Sequence, residues 1–105
     1  MTRPLKQMTF YHRFEKDILS GAKTITIRNH AEADLLPGEI VSVSTFETGR
    51  WFCNIQILSV TPLEVDDIDE RHALQENMPL DELQAVISRI YPDEKSLYMI
   101  CFKLC

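Results

Sequence analysis

The segment that decides the fold reads Trp51-Phe52-Cys53-Asn54-Ile55-Gln56-Ile57. From Cys53 onward apolar and polar side chains alternate strictly, which predicts a β-strand with one buried face and makes Cys53 a structural thiol. Residues 47–50, directly before it, read Glu-Thr-Gly-Arg and are typical of a hairpin loop, and residues 39–46 form a second apolar run around Val41 and Val43. The sequence therefore predicts an antiparallel hairpin at the centre of the chain.

Helices are predicted on both sides of this hairpin. Apolar positions at helical spacing predict a helix from Tyr11 to Ser20, with Thr9 as a possible N-cap and Gly21 just past its end. Residues 66–75 predict a short helix whose inward positions are Ile68, His72 and Leu74. Residues 79–90 predict a longer helix, because Pro79 suits its first turn. Its buried stripe comprises Leu80, Leu83, Val86, Ile87 and Ile90.

Two more strands complete the prediction, at residues 24–28 and 97–104. The connections between strands are short and hairpin-like, which favours antiparallel pairing over parallel crossovers. We expect an α+β fold, a small and mainly antiparallel barrel that is partly closed, with two to three flanking helices. A chain of 105 residues fits a single domain over residues 1–105.

Composition narrows the possible partners. With 16 acidic and 11 basic residues the formal charge is −5, which disfavours binding to RNA or another long polyanion but not to a small neutral ligand such as a nucleoside. The three cysteines are odd in number and form no Cys-x-x-Cys pair, so neither a disulfide framework nor a zinc site is indicated. No stretch approaches the roughly 18 apolar residues of a membrane span. We therefore expect a cytoplasmic protein without a metal or cofactor.

The octet at residues 21–28 concentrates reactive side chains and reads Gly-Ala-Lys-Thr-Ile-Thr-Ile-Arg. If it is a strand, Thr24, Thr26 and Arg28 share one face. Lys23 falls on the isoleucine side and reaches the polar face only if it belongs to a turn opened by Gly21. The octet is therefore the first candidate for a functional site.

With these motifs the chain resembles the small bacterial N(4)-acetylcytidine amidohydrolases, members of the ASCH group within the PUA-like barrel superfamily. The resemblance runs along nearly the whole chain and is carried by residues 8–11, the octet, His72, the run Gln-Glu-Asn-Met at 75–78 and residues 90–92. It implies a PUA-like barrel that hydrolyses the acetyl amide of N(4)-acetylcytidine to cytidine and acetate without a metal. It also implies that Lys23 is the proton acceptor, Thr26 the nucleophile and Glu76 the proton donor.

Chemistry leaves two assignments of the proton-transfer roles open. Amide hydrolysis needs an activated nucleophile, a stabilised oxyanion and a proton for the departing amine. A lysine acts as a base only when neutral, and its ordinary pKa of about 10.4 must fall for that. Arg28 beside Lys23 would favour the neutral amine. If Glu76 lies closest instead, Lys23 stays charged and the roles exchange, with Glu76 as base and Lys23 stabilising the oxyanion.

Supporting roles are predicted for residues around this trio. Arg28, Thr24 and Asn77 are candidates for binding or tuning, and Asn77 either reads a cytosine edge or orients Glu76. His72 is expected to pack beneath Glu76, and these two residues lack a third ligand at the spacing of a metal site.

The predicted partner is a small-molecule nucleoside, and the oligomeric state stays open. The alternative function is a module that binds RNA or a modified nucleoside without cutting it. Phe46 and Trp51, which flank the hairpin loop, are expected in the core rather than in the site.

Overall fold

The computed structural model describes residues 6–105, in which five strands form one mixed sheet of order β1-β3-β4-β5-β2. The strands are β1 (Lys6–Phe10), β2 (Ile25–Arg28), β3 (Ile40–Thr45), β4 (Trp51–Glu64) and β5 (Ser96–Leu104). The helices are α1 (Glu15–Ser20), α2 (Glu70–Glu76) and α3 (Leu80–Ile90), joined by 3-10 turns at His12–Phe14 and Val65–Asp67. The α+β prediction is confirmed.

The sheet forms a half-barrel and is mainly antiparallel, as predicted. β3 pairs with β4, β4 with β5 and β5 with β2 in antiparallel fashion, whereas β1 runs parallel to β3. β1 and β2 are therefore the two edges of the sheet. The functional residues described below lie beside these two edges.

The N-terminal helix prediction is wrong in its first half. Thr9 belongs to β1 and is not an N-cap, and the α-helix begins only at Glu15. The reason is β-type alternation that the helical interpretation overlooked, since Met8 and Phe10 are both buried and β1 pairs along its whole length with β3. Gly21 does end the helix, in the left-handed conformation with φ 82°.

Strand β4 continues past its predicted end at Ile57 to Glu64. A register shift between Ile57 and Ser59 marks a bulge, and beyond Gln56 the strand pairs with β5 but not with β3. Pro62 is tolerated there because one side of the strand is unpaired and needs no N–H donor. The proline therefore lies within the strand without ending it.

The short helix α2 begins later than predicted. Asp69 caps it, and its inward side carries His72, Ala73 and Glu76. The prediction that Leu74 points inward is wrong, because this position lies off that face and is 80% exposed. α3 and β5 match their predicted ranges within one residue.

Two apolar clusters make up the core. The larger lies against β1, β3, β4 and β5, and the smaller lies between α2, α3 and the strands β2 and β5. Phe10 belongs to the first cluster, Ile27 and Ile87 to the second, and all three also line one cavity between the clusters. Within residues 6–105 no helix is long and apolar enough to cross a membrane.

Candidate active site

A cavity of about 320 Å³ lies beside the open edge of the half-barrel. This volume falls within the range of small-molecule sites. Its polar lining consists of Thr9, Tyr11, Lys23, Thr26, Arg28, Glu32, Glu76 and Tyr91. Its apolar lining consists of Phe10, Phe14, Ile27, Phe46, Met78, Leu83, Val86, Ile87 and Ile90. The cavity therefore combines an apolar wall with converging charged and hydroxyl groups.

Lys23 reaches this cavity because it lies in a turn and not in β2. Gly21 turns the chain, the Lys23 N–H donates to the Asp17 carbonyl at 3.0 Å, and the strand begins only at Ile25. The strand alternation that buries Ile25 and Ile27 thus does not determine the direction of the Lys23 side chain. The turn opened by Gly21, which the sequence required for a functional Lys23, is present.

Lys23 and Glu76 form a buried pair. The Lys23 Nζ to Glu76 Oε2 distance is 2.5 Å, and the two residues are 3% and 5% exposed. The Lys23 Nζ also lies 4.9 Å from the centroid of the Phe14 ring. Burial lowers the pKa of Lys23, and the nearby Arg28 lowers it further, while the Glu76 carboxylate opposes both effects. Burial outweighs the carboxylate, so the pKa of Lys23 lies below its ordinary value.

Asn77 follows Glu76 and ends α2 in the left-handed conformation, with φ 57°. Its Nδ2 donates to Asp17 Oδ1 at 3.2 Å and the residue does not line the cavity. Asn77 therefore lies outside the cavity lining, and its role in reading a cytosine edge stays a prediction. The geometry is compatible with orienting Glu76.

His72 caps its own helix. Its Nδ1 accepts a hydrogen bond from the Asp69 N–H at 3.0 Å, and the residue lies one turn before Glu76 on the same buried face. His72 therefore supports Glu76 through the helix rather than by a direct bond. Within residues 6–105 no group of three His, Cys, Asp or Glu side chains is placed to hold a metal ion.

Thr26 and Arg28 form the second polar cluster of the cavity. Arg28 Nε donates to Thr26 Oγ1 at 3.0 Å, and Nη1 donates to Glu32 Oε2 at 2.7 Å. Arg28 Nη2 donates to the Thr9 carbonyl at 2.8 Å and so joins the edge strand β2 to the edge strand β1. Because Thr26 Oγ1 only accepts in this contact, its own proton is available to a base.

Thr24 does not belong to the site. The residue is exposed and does not line the cavity, although strand alternation groups it with Thr26. The alternation fails because the strand starts one residue later, and the backbone of Thr24 is held by Gln75 and Phe102. Thr24 is therefore not brought to the cavity, and its binding role stays a prediction.

Lys23 and Thr26 bond to different partners, Glu76 and Arg28 respectively. No direct hydrogen bond between Lys23 and Thr26 occurs among the contacts of these residues. Proton transfer between them consequently requires a bridging water or a small movement of the lysine side chain.

Sequence reasoning missed several residues of the cavity. Tyr91 OH donates to Glu32 Oε1 at 3.0 Å, and burial together with the Glu32 carboxylate raises the pKa of Tyr91 to about 12. Phe46 is 64% exposed, not in the core, and stands 5.4 Å from Tyr11 at the cavity. Trp51 is 57% exposed and away from the site, so the core prediction fails for both aromatics.

The apolar stripe of α3 was a usable signal for this cavity. Its members Leu83, Val86, Ile87 and Ile90 were predicted as core, and all four line the cavity wall. Leu83 and Ile87 are also buried in the smaller apolar cluster, whereas Ile90 is exposed. An apolar stripe that extends beyond the buried residues of its helix thus indicates that the helix also faces a cavity.

Solved structures define the class of this fold. The structure resembles an ASCH domain from Lactobacillus crispatus with a TM-score of 0.70 and 18% identity, covering 94% of this chain and 79% of that one. It resembles a protein from Enterococcus faecalis with a TM-score of 0.81 and 16% identity, covering 100% of this chain and 78% of that one. The chain therefore has the α+β fold of ASCH domains. No protein-family model matches the chain.

Sequence similarity narrows this class to one family. The N(4)-acetylcytidine amidohydrolase of Shewanella oneidensis is 58% identical over 100 residues, which cover 95% of this chain and 96% of the relative. The chain belongs to the N(4)-acetylcytidine amidohydrolase family. The resemblance seen in the sequence motifs is confirmed.

Proposed function

We propose that this chain hydrolyses the acetyl amide of N(4)-acetylcytidine to cytidine and acetate. One observation carries the proposal: the buried Lys23–Glu76 pair and the Thr26 hydroxyl line the same cavity. A proton acceptor, a proton donor and a nucleophile are the three groups that amide hydrolysis requires. The name of the Shewanella relative supports the choice of substrate.

The two open assignments of proton-transfer roles differ by the position of one proton. When Lys23 is an ammonium and Glu76 is a carboxylate, Glu76 is the base. A shift of the proton across the 2.5 Å contact gives a neutral amine and a carboxylic acid, in which Lys23 accepts and Glu76 donates. Burial favours the neutral form of the pair because two charges in a dry site are costly. We therefore assign Lys23 as proton acceptor and Glu76 as proton donor.

The proposed reaction has two stages. Thr26 Oγ1 forms a bond to the acetyl carbonyl carbon while its proton passes to Lys23, and the carbonyl electron pair moves onto oxygen. The oxyanion then collapses, the C–N bond breaks, and Glu76 gives its proton to the amino nitrogen of the departing cytidine. Water next attacks the threonine ester and gives one proton to the Glu76 carboxylate, and as the ester C–O bond breaks Lys23 returns its proton to Thr26 Oγ1. Acetic acid leaves and ionises to acetate, and the hydroxyl, the neutral amine and the carboxylic acid are restored. Each step uses side chains of this chain and requires no metal.

The cavity and the charge of the chain support a free nucleoside as substrate. Phe10, Phe14 and Phe46 line the cavity, and the exposed Phe46 ring can stack on a base. The formal charge of −5 disfavours RNA. We further propose that the chain acts as one domain in the cytoplasm, where its three free cysteines stay reduced.

The test is to incubate the purified protein with N(4)-acetylcytidine and to follow cytidine and acetate. We expect turnover by the wild type and its loss in Lys23→Met. Lys16→Met is the matched control, because Lys16 is exposed on α1 and does not line the cavity. Saturable binding of the nucleoside or of RNA without product would overturn the proposal in favour of a binding module.

A further inference from the structure

We infer that Arg28 is a further catalytic residue, which stabilises the oxyanion on the acetyl carbonyl, and that Glu32 and Tyr91 are positioning residues that hold it. This inference rests on the proposed function and names the group that the Lys23–Thr26–Glu76 trio lacks. When Lys23 acts as a neutral base it cannot also stabilise the oxyanion as a cation. Lys23 and Arg28 are the two lysine or arginine side chains in the described lining of the cavity.

Arg28 is placed where the negative charge develops. Its Nε lies 3.0 Å from Thr26 Oγ1, the atom that attacks the carbonyl carbon. In the tetrahedral intermediate the oxyanion and Oγ1 are bonded to the same carbon. A guanidinium that touches Oγ1 is therefore a near neighbour of the oxyanion, which is the geometric requirement for this kind of stabilisation.

The guanidinium also has the donors and the charge for the task. An arginine carries five N–H donors, and single contacts to Thr26, Glu32 and the Thr9 carbonyl occupy three of them. Two N–H groups are left for the substrate. Arginine keeps its charge at every working pH, and the Phe10 ring, 4.8 Å from the Arg28 Cζ, covers one side of it. The positive charge is thus fixed in place before the reaction begins.

Glu32 and Tyr91 fix the position of the Arg28 guanidinium through hydrogen bonds. One carboxylate oxygen of Glu32 accepts from Arg28 Nη1 at 2.7 Å, and the other accepts from Tyr91 OH at 3.0 Å. Tyr91 is buried at the end of α3, so the carboxylate is tied to that helix. Glu32 therefore cannot follow Arg28 freely, and the Nε is kept on Thr26.

The first experiment compares Arg28→Ala with Arg89→Ala, a control on the exposed end of α3 and outside the cavity lining. Arg28→Ala should lower kcat on N(4)-acetylcytidine about 100-fold to 1000-fold, the cost of one oxyanion donor, with a smaller change in KM. Added guanidinium ion should restore at least part of kcat in this variant but not in Lys23→Met. Arg89→Ala should match the wild type.

Arg28→Lys keeps the inference falsifiable if Arg28→Ala does not fold. It retains a charge but not the fork of donors, so we expect an intermediate kcat. A kcat within about threefold of wild type in folded Arg28→Ala or in Arg28→Lys would overturn the inference, as would a loss confined to KM. Wild-type protein that releases no acetate would overturn the proposed function as well, so the two failures are distinguishable.

The positioning roles are tested by coupling. Tyr91→Phe and Glu32→Gln should each lower kcat in the wild-type background, and neither should lower it further in Arg28→Ala, because they act through that residue. Tyr98→Phe is the control, since Tyr98 does not line the cavity and makes a T-shaped ring contact with His30. Fully additive losses would show that Tyr91 and Glu32 only stabilise the fold and would overturn their assignment.

Discussion

Lys23 and Arg28 are two cations from one octet that face the same cavity under opposite constraints. Both lie over the Phe10 ring, with the Lys23 Nζ at 5.8 Å and the Arg28 Cζ at 4.8 Å from its centroid. Lys23 has one side-chain partner, Glu76, and burial lowers its pKa. Arg28 has three partners and keeps its charge. These contacts are the basis for proposing that Lys23 moves a proton and that Arg28 holds a fixed charge.

The difference teaches how one short segment can present two cations under different constraints. Burial and a partner that can share its proton favour a neutral lysine, and the turn before β2 and the end of α2 provide them. Several hydrogen bonds fix an arginine, and β1, β2 and the loop after β2 provide them. The predictions that follow test whether the Lys23 and Arg28 clusters are separable in this way.

The largest effect is expected at Thr26, which both clusters serve. Thr26→Ala should lower kcat at least about 1000-fold because the attacking oxygen is lost, whereas Thr26→Ser should keep substantial activity. Thr24→Ala is the matched control, since this threonine is two residues away, exposed and outside the cavity. Steady-state hydrolysis of N(4)-acetylcytidine measures all three. Equal rates in Thr26→Ala and Thr26→Ser would contradict the nucleophile assignment.

A smaller loss is expected at Asp17, which fixes both sides of the Lys23–Glu76 pair. Its carbonyl accepts from the Lys23 N–H and its carboxylate from the Asn77 side chain. Asp17→Ala should lower kcat about 10-fold to 100-fold, because displacement of a reacting group by about 1 Å is costly. Asp17→Asn should lose less, since an amide oxygen still accepts from Asn77. Hydrolysis rates decide this.

Two further variants test whether the contact between Asp17 and Asn77 positions the Lys23–Glu76 pair. Asn77→Gly keeps the left-handed end of α2 and removes only the side-chain bond, so it should lose activity while remaining folded by circular dichroism. Asp93→Ala, at an exposed turn residue, should be neutral. Wild-type kcat in both Asp17→Ala and Asn77→Gly would show that this contact does not position the pair.

The sequence predicted the scaffold well where alternation or helical periodicity was long. The hairpin at β3 and β4, helix α3 and strand β5 were all found. β1 was missed because Met8 and Phe10 give only two alternating positions before the first helix. Leu74 was placed inward because it is apolar, although a position two residues from His72 lies on the opposite side of a helix.

Only the site residues that belong to sequence motifs could be predicted. Lys23, Thr26, Arg28 and Glu76 were named from the sequence, and the structure brings them to one cavity. Their bonding was not predictable, because contacts such as Lys23 to Glu76 join residues far apart in the chain. Glu32 carried no motif signal, and Tyr91 belongs to the motif at residues 90–92 but was given no role in the site. Whether the chain forms one domain, and which residues act in catalysis, remain predictions.

A moderate effect is expected on the pKa of Lys23, and the two clusters should move it in opposite directions. Glu76→Gln removes the carboxylate that raises this pKa, so the pKa should fall below its wild-type value. Arg28→Gln removes a cation that lowers it, so the pKa should rise. NMR titration of lysine side-chain signals measures both, and the spectrum of Lys23→Met identifies the signal. Shifts of the same sign in both variants would contradict the electrostatic account.

The smallest effect concerns stability at alkaline pH through Tyr91. Its pKa is raised from the ordinary 10.0 to about 12, so the folded state keeps a proton that the unfolded state releases. The contribution of protonated Tyr91 to the free energy of unfolding is therefore complete below pH 10, and it is lost as the pH rises from 10 to about 12. Urea unfolding should show a shallower decline across this window in Tyr91→Phe than in wild type. Glu32→Gln should reduce the decline in part, because the Glu32 carboxylate contributes to the raised pKa. Identical slopes in wild type and Tyr91→Phe would contradict a raised pKa of Tyr91 in the folded protein.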